Sequence, residues 1–304
     1  MSASSTTRGS SRNWRALAVG IPAALLAAVV IVFVARWLRE QPSVAQFVAD
    51  YPGHVPLPDD APVGIPAWLG WQHFLNAFFL VFIVRSGWLV RTTQRPRGHW
   101  QPRRQPTGGR IRISLNLWLH LTVDTLWILN GVIFVVLLFA TGQWARIVPT
   151  TWDVLPHALS SLLQYASLDW PVHDGWNAYN GVQMLAYFVT VFIAAPLAIM
   201  SGLRMAPMWP KLGLLSRMPP MAVARAVHWP VVFYFVAFTI AHVALVALTG
   251  ARQNLNAMYA ARLDDGWLGV IVFGISLAAM VAAWVLAKPV FVQPLAALTG
   301  KVTR

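Results

Sequence analysis

The stretch from His228 to His242, HWPVVFYFVAFTIAH, is apolar and aromatic apart from an imidazole at each end. Histidine is costly within a membrane-spanning segment and marks either a function or a polar contact between helices. The two are 14 residues apart. On a helix of 100° per residue that is about 1,400°, roughly 40° short of four turns, so both side chains leave the helix on nearly the same side. The rise between them is ~21 Å, most of a ~30 Å hydrocarbon core. One mononuclear site cannot use both. Two sites stacked across the membrane can, provided each finds a second ligand on another helix.

The elements that could supply those ligands follow from composition. The chain has 304 residues, of which 57% are hydrophobic and 11% charged. A soluble domain carries about 25% charged residues, so this composition belongs in lipid. Six stretches reach the ~20 apolar residues a spanning helix needs: 16–35, 68–90, 113–140, 179–202, 227–249 and 267–287. The first could be a signal peptide. It is long for one and lacks a small-x-small cleavage site before Arg36 and Trp37, so it reads as an uncleaved helix. Residues 1–15, rich in Ser, Thr and Arg, read as a disordered tail.

Charge orders the connections. The 91–112 connection alone carries seven arginines, and the N-terminal tail, the 203–226 connection and the C-terminal end are also basic. Nine of the ten acidic residues fall in the 36–67, 142–178 and 250–266 connections. By the positive-inside rule both termini are cytoplasmic and those three loops lie outside. The net charge of +13 is thus a topology signal and a contact for anionic headgroups, not a nucleic-acid site. Many of the 16 tryptophans sit near span ends, as an interfacial belt does. The 142–178 loop contains TWDVLPHALSSLLQYA, whose helical spacing suits the membrane surface. No internal repeat is legible.

With this topology the second span runs inward and places His73 in its outer part, level with His242. The third runs outward and places His120 in its inner part, level with His228. The depths therefore pair His73 with His242 and His120 with His228. Two bis-histidine sites, one per leaflet, match two non-covalent b-type haems with axial imidazoles. The iron of each would be the bound metal. The chain has no cysteine, which excludes thiolate-held clusters, covalent c-type haem and disulfides. His54, His99, His157 and His173 read as solvated loop residues.

Other polar groups fall within the spans. Asp124, one turn after His120, could orient an imidazole, relay protons at an inner quinone site, or bond to a neighbouring helix. Arg85 could pair with a haem propionate or a carboxylate, or snorkel to the inner interface. Gly87 and Gly131 are places where a flat ring could approach the backbone. There is no Gly-rich phosphate loop, no GxSxG and no HExxH, and no catalytic residue is assigned.

At these residues the chain resembles the bacterial di-haem cytochrome b family, the membrane subunits of nickel–iron hydrogenases, formate dehydrogenases and thiosulfate reductases. WQHFLNAFFLVFIVRSGW, with His73 and Gly87, is similar to the family's first core helix. LNLWLHLTVDTLWILNG, with His120, is similar to the second, YNGVQMLAYFVTVFIAAPLAIMSGL to the third, and RAVHWPVVFYFVAFTIAH to the fourth. The resemblance covers about 68–249. It implies a four-helix di-haem core, with the first and last histidines on one haem and the middle two on the other. It also implies transfer of electrons between a membrane quinone and a redox partner subunit such as a molybdopterin oxidoreductase. The chain would then be the electron-transfer membrane subunit of an oxidoreductase complex in the cytoplasmic membrane of a bacterium. The 16–35 and 267–287 helices, and a core whose first helix starts outside, depart from the family pattern.

The expected fold is thus all-α and integral to the membrane, with one extra helix at each end of the core. A transporter or channel with structural histidines is the alternative. A self-contained transmembrane reductase acting on a small oxidant or ferric iron is a third reading.

Overall fold

The structure, a computed structural model, describes residues 8–106, 110–170, 175–210, 213, 216 and 219–303. Residues 1–7 of the expected tail and His173 lie outside the described residues. The fold is that of an all-α membrane protein. Among the described residues six helices are long and apolar enough to cross a bilayer: α1 (Arg8–Glu40), α3 (Ala67–Thr92), α4 (Leu115–Ala140), the span Gly181–Met205, α8 (Met221–Leu248) and α10 (Leu268–Leu286). The helix α1 starts at Arg8, so residues 8–15 are helical and do not belong to a disordered tail. Its apolar part, Ala18–Glu40, is the spanning portion. Leu129, Val132 and Val136 on α4, Ile240 on α8 and Ile275 on α10 are all exposed. Apolar side chains on the outside of such helices are what lipid contact requires.

The span Gly181–Met205 is three pieces in series. They are α6 (Gly181–Phe188), a π-helical segment (Val189–Ala194) and α7 (Ala195–Met205). Pro196 explains the break. It has no N–H to give to the carbonyl four residues back, and the wider π turn accommodates its ring. Pro230 sits inside α8 without ending it. That helix begins at Met221, six residues before the expected start at 227, so His228 lies a full two turns inside it.

The described residues divide into two compact units. The first comprises Met1–Leu57, Pro149–Asp174 and Ala178–Ala186. In it α2 (Pro42–Asp50) follows α1, and α5 (Val154–Ala166) is the helix expected within the 142–178 loop. Its interior combines an apolar cluster of Val55, Val154 and Met184 with buried polar side chains. His157 is buried on α5 and accepts the Gly53 N–H at Nδ1 (3.2 Å). Burial holds that imidazole below its ordinary pKa, which keeps a lone pair available as acceptor. His157 is therefore not a solvated loop residue. His54 also has a structural place, in a β-bridge to Asn180. Arg36 donates to the Ser167 carbonyl (3.0 Å), and Arg39 donates to Ser167 Oγ (2.9 Å) and pairs with Asp169.

The second unit comprises Pro58–Val148, Gly175–Asn177 and Tyr187–Arg304. It contains α3, α4, α7, α8, α9 (Ala251–Ala260), α10 and α11 (Pro289–Thr299). The pairs α3–α4 and α7–α8 pack as helical hairpins. At its centre Val231, Phe235 and Ala194 pack with Trp127 and Leu80. Trp127 donates to Asn76 Oδ1 (3.0 Å), which joins α4 to α3 through a side chain one turn after His73. The C-terminal span belongs to this unit. Phe82 meets Trp284 at 6.3 Å, and Arg85 donates to the Ala287 carbonyl just past the end of α10.

After α10 the chain returns along the connection that follows α3. Strands β1 (His99–Pro102), β2 (Ile113–Ser114) and β3 (Gly300–Thr303) form a small antiparallel sheet with β1 in the middle. His99 is thus a strand residue. Ile113, Leu115 and Trp118 pack against Val292 and Ala296 of α11. Ser114 caps α4 by accepting the Leu117 N–H (3.2 Å). The C-terminal strand and the arginine-rich connection therefore share one end of the unit, as an even number of crossings between them demands.

At the other end Arg146 is a buried brace, only 1% exposed. It donates to the carbonyls of Gly64 (2.7 Å) and Gly175. Gln143 donates to the same Gly64 carbonyl (3.2 Å). Gly64 is held at φ +89, where a Cβ would strike the Trp176 ring at 2.8 Å. Arg146 thus ties the 36–67 and 142–178 connections together and is no free topology charge. Arg146→Ala would leave two carbonyls without their charged donor. It is expected to lose about 3 kcal/mol of stability, read as a lower unfolding temperature in detergent, with Arg146→Lys only partly restoring it.

Candidate functional site

All four span histidines lie in the second unit, and the structure brings them together at two levels. Near the acidic loops, His73 of α3 and His242 of α8 face each other with ring centroids 6.0 Å apart and planes at 50°. Near the basic end, His120 of α4 and His228 of α8 lie within electrostatic reach of one another. Between the levels sit Phe235 and Trp127, in edge contact at 6.0 Å. Seven residues, about two turns, separate Phe235 from each α8 histidine, so this apolar layer divides the two sites.

The acidic-side pair is lined by aromatic rings. Phe238 stacks on His242 (5.7 Å, 8°), and Tyr234 stacks on Phe238 (6.1 Å, 19°). These are rungs four residues apart on one face of α8. Tyr187 meets His242 edge-on at 6.1 Å, and Tyr259 of α9 meets His73 edge-on at 5.7 Å. The Nδ1 atom of His73 is buried and has no hydrogen-bond partner. Tyr259 is in place because α9 lies tightly on its neighbours. A Cβ at Gly70 of α3 would collide with the Met258 carbonyl, and one at Gly269 of α10 with the Leu255 carbonyl. Asn256, fully buried, donates to the Asp264 and Gly266 carbonyls (2.8 and 2.7 Å) and accepts from Gly269 N (2.7 Å).

The basic-side pair is held by serines. Ser86 Oγ lies 3.0 Å from His120 Nδ1, and Ser201 Oγ lies 3.0 Å from His228 Nδ1. Each hydroxyl also reaches the carbonyl four residues back on its own helix, Phe82 O for Ser86 and Leu197 O for Ser201, both at 2.6 Å. A hydroxyl has one proton. The short bond to the helix carbonyl uses it, so the oxygen must accept from the imidazole. In both hairpins the oxygen is thereby placed to accept an imidazole Nδ1–H.

The glycines and charged residues singled out in the sequence take distinct places. Gly87 backs His120: a Cβ there would sit 3.1 Å from its Cε1. Gly131 has no atom within 4 Å of such a Cβ and is not brought to either pair. Asp124 approaches His120 Nε2 at 3.5 Å, too long for a strong hydrogen bond. Ser86 meets Nδ1 of His120, and the Asp124 carboxylate lies on the side of the other nitrogen. Arg85 lies near the basic end of α3. It stacks over Trp284 (4.6 Å) and donates to the Ala287 carbonyl (3.0 Å), where a cation also complements the C-terminal end of α10. Sequence reasoning missed Ser86, Ser201, Gly202, Tyr187, Tyr259 and Phe238. One signal was available for the first three: the dipeptide Ser-Gly occurs near the basic end of two spans, at 86–87 and 201–202.

Paired imidazoles can serve as metal donors. Among the described residues no third His, Asp or Glu joins them to make a metal-binding group. An ion held by protein alone takes about four ligands. Haem iron brings its own equatorial donors and needs two axial ones. Two imidazoles bound at about 2 Å on opposite faces of one iron have ring centroids about 6 Å apart, which is the separation of His73 and His242. His73 and His242 fit that group in separation.

No protein-family model, curated protein or solved structure matches the chain.

The packing of α9 over His73 gives a direct test. Gly70→Val would drive side-chain atoms into the Met258 carbonyl. It is expected to lower stability by roughly 1–3 kcal/mol and to speed amide hydrogen exchange across 251–260, with exchange in α11 unchanged.

Proposed function

We propose that this protein is a di-haem b-type cytochrome that carries electrons across a membrane between a quinone and a redox partner subunit. The observation that carries the reading is the facing of His73 and His242 from two different spans at 6.0 Å, with a second histidine pair at the other depth. His73 and His242 would hold one haem, His120 and His228 the other. Haem supplies a one-electron iron couple at each level. The chain's own residues fix the two sites at separate depths on α8, set serine hydroxyls against both Nδ1 atoms on the basic side, and surround the acidic-side pair with Phe238, Tyr187 and Tyr259. The apolar layer of Phe235 and Trp127 keeps water from joining the levels.

The basic end is assigned to the cytoplasm by the positive-inside rule, which places the acidic-side haem toward the outside in the cytoplasmic membrane of a bacterium. The resemblance in sequence to di-haem cytochrome b subunits supports the quinone and a molybdopterin oxidoreductase as the exchange partners. The long acidic-side connections at 36–67 and 142–178 are where such a partner would dock. No residue of this chain is assigned substrate chemistry.

The test is a dithionite-reduced minus oxidised absorption spectrum with haem per polypeptide. Two b-type haems per chain are expected. His73→Ala and His242→Ala should each remove the same haem, and His120→Ala and His228→Ala the other. Members of one pair that remove different haems would overturn the pairing. A colourless protein from cells well supplied with haem would discard the cytochrome and leave a transporter with structural histidines.

A further inference from the structure

The basic-side site is built twice from the same part. In the hairpin of α3 and α4, Ser86 reaches Phe82 O at 2.6 Å, Ile83 O at 3.2 Å and His120 Nδ1 at 3.0 Å. In the hairpin of α7 and α8, Ser201 reaches Leu197 O at 2.6 Å, Ala198 O at 3.1 Å and His228 Nδ1 at 3.0 Å. The following glycine is on the imidazole in both. A Cβ at Gly87 would lie 3.1 Å from His120 Cε1, and one at Gly202 would lie 3.6 Å from His228 Cε1. Both serines are buried, at 1% and 3% exposure. The repeat is absent from overall sequence similarity because only two consecutive residues of each first helix and one histidine of each second helix carry it.

We propose that Ser86 and Ser201 are paired positioning residues that lock His120 and His228 as Nδ1–H donors and hold the potential of the basic-side haem down. The inference rests on the di-haem reading. Its physical basis is the coupling between the two nitrogens of one ring. An acceptor on Nδ1–H fixes the tautomer and raises the basicity of Nε2. A more basic axial nitrogen stabilises oxidised iron over reduced iron. Both ligands at this level carry such an acceptor. At the other level the Nδ1 of His73 has none, and rings take the place of hydroxyls around the pair.

The two levels should therefore respond differently to loss of a serine hydroxyl. The experiment is a potentiometric titration of the full chain in detergent, following the haem absorption band. The component missing from His120→Ala identifies the basic-side haem. Ser86→Ala and Ser201→Ala should each keep two haems per chain. Each should raise the reduced-to-oxidised ratio of the basic-side haem about threefold at a fixed ambient potential, with the acidic-side component unmoved. The double variant should shift further, and Ser86→Thr and Ser201→Thr, which keep the oxygen, should return to the parental value.

Two haems with both components at parental potentials would overturn the inference and leave the di-haem reading intact. Equal shifts of both components would also overturn it, because general loosening would explain them. If an alanine variant loses the haem, the threonine variant decides: recovery of haem at the parental potential supports the lock, and continued loss counts against it. Absence of haem from the parent protein would be the failure of the di-haem reading itself.

Discussion

A polar group in the hydrocarbon core has no water to bond to, and the arrangement of this protein follows from how its polar groups meet that constraint. Backbone groups are satisfied by forming helices. The side chains that remain are few: four imidazoles, Asp124, Arg85 and a set of hydroxyls and amides. Several are placed against something specific. Asn76 receives Trp127, Arg85 finds a carbonyl at the end of α10, and two imidazoles find serines. The helices are joined where these contacts occur, and elsewhere they present apolar faces outward.

The two histidine levels meet the same constraint by different means. On the basic side a serine already bonded to its own helix lies 3.0 Å from each imidazole Nδ1. On the acidic side the rings of Phe238, Tyr187 and Tyr259 enclose the pair, and His73 keeps an unpartnered buried nitrogen. An unpartnered nitrogen in such a place is unfavourable. The aromatic stack along α8 also fixes the rotamer of His242, since its ring has Phe238 flat against it.

The connections act as rigid ends. Arg146, with its carbonyl partners, closes the acidic end of the second unit. At the basic end, β3 and α11 close over the arginine-rich connection. These two features lie at opposite ends of α4, the helix that carries His120. Asn256 and the glycines at 70 and 269 hold α9, which brings Tyr259 to His73 from a segment that the charge pattern shows only as an outer loop.

Much of this was legible in the residues. Hydropathy located six spans, with bounds within a few residues for α3, α4 and α10, because a run of about 20 apolar residues has few other uses. The 14-residue spacing of His228 and His242, with span direction from the loop charges, was enough to sort four histidines into two depths. Helix geometry is regular, and depth needs only a count. What counting could not reach depends on rotation and on contact between distant segments. Ser86 and Ser201 look like any hydroxyl in a membrane helix until α4 and α8 turn their imidazoles onto them. Asp124 shares a face with His120, yet which nitrogen it meets is set by the ring orientation that Ser86 imposes. Arg85 shows no partner in the sequence until α10 ends beside it, and Arg146 looks like a loop charge until two connections meet at it. One-dimensional periodicity determined which residues share a depth. Only the packing of one helix on another decided which atoms touch there.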